Sequence, residues 1–327
     1  QKASHRGRFG AAGRYCWRRA GWSGYTAKTL MRSGGQAHAP AVATPALVLR
    51  AQAYGESDRI VTLLTATHGK VTALARGARS SRKRFGAALS PFGFGEAMLR
   101  ERRGQDLWLL EDLHCSRGFS HLPQELSRYS HACYACELCL HLCPPHEPEP
   151  RVLQLTLQLL ELLDGLPLTE RASAEPLRIF ELQLLQAVGL GLQLDECAAC
   201  GQPVPEQAGE SVEEGGPDFG AEPEALLPLD VSRGGILCLE RCWLGPVPTH
   251  LGPLGGGLSA TVRQALQHLS RCELSDPAVR ALSLPPSVGR ACKAILLTIM
   301  QHHLGRNLRA VEFIAKMNAF GTVAAPV

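Results

Sequence analysis

Two cysteine pairs, Cys197-Ala-Ala-Cys200 and Cys238-Leu-Glu-Arg-Cys242, are the residues of this 327-residue chain whose type and spacing most plainly specify chemistry. Thiolates paired on tight turns are what a tetrahedral zinc ion takes, and two such hooks complete one site. A four-sulfur shell leaves no open position for water or substrate. A Zn2+ held by Cys197, Cys200, Cys238 and Cys242 is therefore expected to be structural, inside a small module over residues 195–245. The 37 residues between the hooks are rich in acids and glycine and read as a mobile loop.

A second cysteine run, Cys133, Cys136, Cys139 and Cys143 followed by Pro144, has the spacing of a bacterial ferredoxin cluster loop. The fourth cysteine of that pattern serves a second cluster, and the chain holds one copy of the run. Leu126, Tyr129 and Leu140 share a helical face with the sulfurs, and cysteine is a common small core residue. Packing in a helix is the expected role. An iron–sulfur redox protein built on Cys133 to Cys143 stands as an alternative.

The third constellation is basic. Arg76, Arg79, Arg82, Lys83 and Arg84 put five positive charges into nine residues separated by glycine and serine, a loop suited to nucleic-acid phosphates. Arg100, Arg102 and Arg103 form a second basic hairpin, and Arg59 and Lys70 lie on neighbouring runs. Unpaired bases also need aromatic faces. Phe85 adjoins the loop, whereas Phe94 and Trp108 read as core. The candidate DNA-binding set is Arg59, Lys70, Arg76, Arg79, Arg82, Lys83, Arg84, Phe85, Arg102 and Arg103. No nucleophilic triad, phosphate-binding glycine loop or carboxylate pair accompanies it, so no catalytic residue is assigned.

The elements that must position these residues follow from periodicity. Runs beginning at Ala46, Arg59 and Lys70, then Phe94 to Arg102 and Asp106 to Leu113, are short, rich in Val, Ile, Thr and Leu, and separated by turn signals. Five such strands in about 70 residues give a small barrel, with an OB-like Greek key one of few ways to close it. After Pro123 the period becomes helical: Leu126 to Cys143, Val152 to Leu163, Leu177 to Val188, Ser259 to Leu269 and Ser287 to His303. The expected organisation is a basic, disordered extension at 1–44, a barrel at 45–120 and a helical domain at 121–327 that carries the zinc module.

Charge supports this division. Residues 1–50 carry nine Lys/Arg and no acid, while 202–230 carry eight acids and no Lys/Arg, which fits a polyanion-binding surface at one end. The acid-poor start also resembles an organellar transit peptide. No apolar run reaches the length of a membrane span. Twelve cysteines in such a chain fit reduced thiols and a cytoplasmic protein rather than a disulfide scaffold.

Several of these residues together resemble a known family. Ala46-Leu-Val-Leu-Arg50, Tyr54-Gly-Glu-Ser-Asp-Arg-Ile-Val-Thr-Leu-Leu-Thr65, Gly69-Lys70 and Ala75-Arg-Gly-Ala-Arg79 are similar to the amino-terminal signature of the RecO bacterial recombination mediators. The likeness continues through Leu177 to Leu185, Gly189-Leu190, Leu194 to Cys197, Gly234 to Cys238 and His303 to Arg306. It implies an α+β multidomain protein with an OB-fold barrel first and a helical domain with an embedded four-cysteine zinc module behind it. It also implies binding of single- and double-stranded DNA, annealing of complementary strands, and loading of recombinase onto DNA coated by single-strand-binding protein. The implied partners are the RecR mediator and the acidic tail of single-strand-binding protein, in a cytoplasmic, nucleoid-associated setting without a membrane. Two features depart from the family pattern: the second hook has three intervening residues where two are usual, and the cysteine run 133–143 replaces small and apolar helix residues. An interaction scaffold stabilised by zinc, without DNA binding, is the remaining alternative.

Overall fold

The computed structural model of the protein describes residues 40–81, 84–102, 104–167, 170–205 and 226–321. The expected extension up to residue 39, and Arg82, Lys83 and Arg103 of the candidate DNA-binding set, lie outside the described residues.

Alternating Val, Leu, Thr and Ala runs fold as five strands: β1 (Val42–Tyr54), β2 (Asp58–Thr65), β3 (Gly69–Ala75), β4 (Phe94–Arg102) and β5 (Gln105–Arg117). They close in the order β1-β2-β3-β5-β4, an OB-like barrel in which β3 and β5 are the parallel pair. The barrel starts three residues before the expected boundary at 45, because Val42, Ala43 and Thr44 already pair with Leu99, Met98 and Ala97. Inside the barrel, Val48, Val61, Leu63, Val71, Leu99 and Leu110 form one core, and Phe85 and Leu89 from the β3–β4 connection pack into it.

The outer face of β1, β2 and the β4 entry is buried too. Leu47, Leu64, Phe92 and Phe94 belong to the same core as the helices, so the barrel rests against the helical part through apolar contacts. At the β2–β3 turn, Gly69 has a φ of +62° and its Cα lies against the Glu147 backbone, where no side chain fits.

Six helices follow among the described residues: α1 (Leu126–Leu142), α2 (Pro150–Asp164), α3 (Glu175–Ala187), α4 (Ala260–Arg271), α5 (Pro286–Leu304) and α6 (Arg309–Gly321). The Glu125 side chain caps α1 by accepting from the Ser127 and Arg128 amides, at 3.0 Å each. Buried Arg128 donates to the Leu166, Pro167 and Glu170 carbonyls and so pins the α2–α3 connection beneath α1. Between α3 and α4 a small sheet in the order β7-β6-β8 is built from β6 (Leu226–Asp230), β7 (Gly235–Ile236) and β8 (Gly255–Ser259).

The cysteine run settles on α1. Cys136 and Cys139 are buried among leucines on an unbroken helix, Cys143 is buried at its end, and the Cys139 Sγ lies 3.3 Å from the Thr156 Oγ1. A cluster loop must wrap its irons with irregular backbone, so this straight helix argues for packing and against the iron–sulfur alternative. Burial pushes the Cys136 thiol far above its ordinary value, as expected for an inert core thiol.

Candidate metal centre and nucleic-acid interface

The two hooks are brought together by backbone pairing. The Ile236 amide donates to the Gln193 carbonyl at 3.0 Å, and the Ala198 amide donates to the Ile236 carbonyl at 2.8 Å. This zips the first hook onto β7, whose next residues enter the second hook. From the other side, buried Arg263 of α4 donates to the Leu194, Val204 and Pro205 carbonyls at 2.7, 2.6 and 2.8 Å. The Gln267 amide adds a bond to the Asp195 carboxylate at 2.6 Å. One helix thus holds both flanks of the first hook. The turn inside that hook closes through the Gly201 amide on the Cys197 carbonyl, with Gly201 at a φ of +70°.

The sulfurs of Cys197, Cys200, Cys238 and Cys242 all lie within 4.8 Å of one another, and those of Cys200 and Cys238 are 3.8 Å apart. A tetrahedron with metal–sulfur bonds of about 2.3 Å has edges of about 3.8 Å, so the four residues fit one four-coordinate ion. Among the described residues this is the one such group of converging ligands. Burial pushes the Cys197 thiol up, but the backbone amides of Cys238, Ala199 and Cys200 outweigh it and bring it down to about 6. Cys242 is pushed up to about 12, chiefly by its hydrogen bonds with Cys238 and Cys200. Four sulfurs this close cannot all be thiolates without a cation between them, and a divalent ion supplies that charge.

The basic residues fall into groups that linear order does not separate. Strand register places the turns after β1 and β3 at one end of the barrel, and the β2–β3 and β4–β5 turns at the other. Arg59, Arg76, Arg79 and Arg84 therefore gather at the first end, called here the mouth. Arg102 sits at the second end beside Gln105. Among the described residues, the basic loop and the second basic hairpin therefore stand at opposite ends of the barrel.

At the mouth the loop after β3 is folded back onto the β1–β2 turn. The Gly77 amide donates to the Asp58 carboxylate at 2.8 Å, the Arg79 amide to the Ser57 carbonyl at 2.9 Å, and the Arg79 guanidinium to the Glu56 carbonyl at 3.1 Å. The Gly77 amide and the Ser57 hydroxyl hold the Asp58 carboxyl below its ordinary range. Arg84 donates to the Ser81 hydroxyl and the Arg76 carbonyl at 3.2 and 2.8 Å, and its guanidinium lies 5.0 Å from the Phe85 ring centre. Arg76, Arg79 and Arg84 all remain exposed, and these bonds tie each of their stretches, 76–81 and 84, to neighbouring backbone or side chains.

Two members of the candidate set are corrected. Phe85 is 3% exposed and plugs the barrel, so its ring has no face for a base. The apolar core competes for that ring more strongly than solvent does. Lys70 reaches away from the surface: its Nζ donates to the Leu140 carbonyl at 2.6 Å and caps the C-terminal end of α1. Burial holds its amine below the ordinary lysine range. Trp108 and Phe94 are core residues as expected, with Trp108 stacked on His146 and edge-on to His68.

One feature had no sequence signal. A cavity of about 540 Å3 lies where the barrel meets α2 and the turn at Pro277–Ala281, with Phe94, Leu157 and Leu162 in its apolar wall and Arg117 and Arg280 beside it.

Known proteins share this architecture. Residues 41–119 match the family model described as recombination protein O N terminal, and 123–312 match recombination protein O C terminal. A DNA repair protein RecO of Anaeromyxobacter sp. strain Fw109-5 is 40% identical over 268 residues, covering 82% of this chain and 93% of that protein. Those of Myxococcus xanthus and Geobacter sulfurreducens are each 35% identical over 272 residues, covering 83% of this chain and 96% of theirs. The chain belongs to the RecO family of DNA repair proteins.

Proposed function

From that membership we propose that the chain is a recombination mediator without catalytic activity of its own. It binds single- and double-stranded DNA through the barrel mouth, anneals complementary strands, and helps load recombinase onto DNA coated by single-strand-binding protein. The observation that carries the reading is the exposed arginine group Arg76, Arg79 and Arg84 at the barrel end where the half-buried Arg59 enters β2. The mechanism is electrostatic. Arginines neutralise phosphates on two strands at once, which lowers their mutual repulsion and lets complementary bases pair.

The four-cysteine centre takes a structural Zn2+ in this reading. Cys197, Cys200, Cys238 and Cys242 would hold it, and it would lock the module between α3 and α4. The RecR mediator and the acidic tail of single-strand-binding protein are the proposed protein partners, in the cytoplasm at the nucleoid. The cavity beside Arg117 and Arg280 offers an apolar wall, but Glu161, ion-paired with Arg117, and Asp276 also line it, so its edge is of mixed charge. No helix among the described residues is long and apolar enough to cross a membrane.

Annealing of two complementary labelled oligonucleotides tests the reading. Acceleration by the protein that fades as salt rises is expected. Affinity for single strands contacted through about 5 phosphates should fall with a log–log salt slope of about −3.5. A protein that binds both strands yet never speeds their pairing would contradict the annealing role.

A further inference from the structure

With Phe85 in the core, the mouth lacks the aromatic ring expected for unpaired bases, and Phe92, Phe94 and Trp108 are buried as well. Tyr54 supplies one. It ends β1, is 54% exposed, and stands opposite Asp58 in the β1–β2 ladder. Asp58 is in turn bonded to the Gly77 amide and attracted by Arg76. Tyr54, Asp58 and Arg76 therefore form a row across the mouth, with about 10 Å, or two strand spacings, from the first to the last.

Residues opposite each other in a ladder share a face, and faces alternate along a strand. Ala51 and Ala75 pack against the barrel interior, so the row Ala53, Arg59 and Ala75 turns inward and Tyr54 turns outward. Arg79 grips the turn just beyond Tyr54 through the Glu56 and Ser57 carbonyls. The acids at this tip temper its charge: Asp58 is bound to the loop, and Glu56 is exposed beside it. What the tip adds to the arginines is an aromatic face.

We infer that Tyr54 is the base-stacking residue of the mouth and makes it prefer single-stranded over duplex DNA. The inference rests on the DNA-binding reading above. An unpaired base can leave its neighbours to lie on the ring while Arg76 and Arg79 hold the flanking phosphates. Bases in a duplex are already stacked and gain nothing from it.

The test is binding of the full chain to a labelled oligothymidine and to a duplex hairpin of similar length, at one moderate salt concentration. Tyr54→Ala should weaken the single strand about 5- to 100-fold and the hairpin by less than about twofold. Tyr54→Phe should bind as the parent does. In Tyr54→Trp the added indole fluorescence should be quenched by the single strand. Unchanged single-strand affinity in Tyr54→Ala would overturn the inference, as would equal losses on both substrates. The combined variant R76A/R79A/R84A separates the two readings. If it loses both substrates while Tyr54→Ala loses neither, the stacking role falls and the electrostatic reading survives. A parent protein that binds neither oligonucleotide overturns both.

Discussion

At the helix-facing end of the barrel, Lys70 points its amine into the protein and donates to the Leu140 carbonyl. At the open mouth, Arg76, Arg79 and Arg84 keep their side chains exposed, although Arg79 and Arg84 also bond the backbone nearby. The two ends carry side chains of the same sign within a dozen residues of sequence. What separates them is the depth at which the charge ends. Arg128 and Arg263 make the same point in the helical part, where each guanidinium satisfies several carbonyls that burial would otherwise leave without donors. A guanidinium has five donors, so one that has bonded a carbonyl can still meet a phosphate if it stays exposed. Cations buried on carbonyls build the fold, and the exposed ones at the mouth are those proposed to attract DNA.

The largest perturbation lies outside both ends. Removing the proposed Zn2+ from the hooks should forfeit on the order of 10 kcal/mol of local folding energy. Thermal melting with and without chelator should show the module around Cys197 to Cys242 unfolding, while oligonucleotide binding at the mouth persists. Loss of both together would break the separation between scaffold and mouth.

Phe85→Ala should cost about 3–5 kcal/mol, because the ring plugs the barrel core and the loop above it has little else to replace it. Denaturant titration would show this, and an unaltered midpoint would return Phe85 to the list of surface residues. Lys70→Met removes the donor at the end of α1 and should cost about 1–2 kcal/mol, with DNA affinity unaltered. A loss of DNA affinity as large as that from the mouth arginines would erase the distinction between the ends. Arg100→Ala breaks a half-exposed pair with Glu111 and should cost less than about 1 kcal/mol, again without effect on DNA. Acid sharpens the comparison at the mouth itself. The Asp58 carboxyl sits below its ordinary value, so its hold on Gly77 is complete above that value and is lost as pH falls through the lowered one. Amide exchange at Gly77 should quicken in that window, and in Asp58→Ala, which leaves no acceptor, the same amide should be unprotected at neutral pH.

Much of this was readable in the sequence, for reasons that differ by element. The β4 bounds coincide with the expected run because Gly93 and Arg103-Gly104 punctuate it on both sides. The helices α2 to α5 fall within about three residues of their expected ends, since each carries an apolar stripe of the right period. The hooks were legible because metal-ligand spacing is local. Phe85 was misread for the opposite reason. It stands in a run of Arg, Ser and Gly without period, and only barrel closure shows that the loop folds over a core. Tyr54 was passed over because a lone tyrosine beside a turn has no signature until register puts it opposite Asp58, which holds the Gly77 amide of the arginine loop. The separation of Arg102 from the loop 76–84 required knowing that β5 pairs with β3 in parallel, a contact between residues far apart in the chain.

If the exposed arginines of the mouth supply the phosphate contacts, salt should weaken single-strand binding less steeply in R76A/R79A/R84A than in the parent. Removing three contacts should flatten the log–log slope by about 2, with affinity lost on every sequence alike. An unchanged slope in a folded variant would place the DNA elsewhere on the molecule and contradict the account.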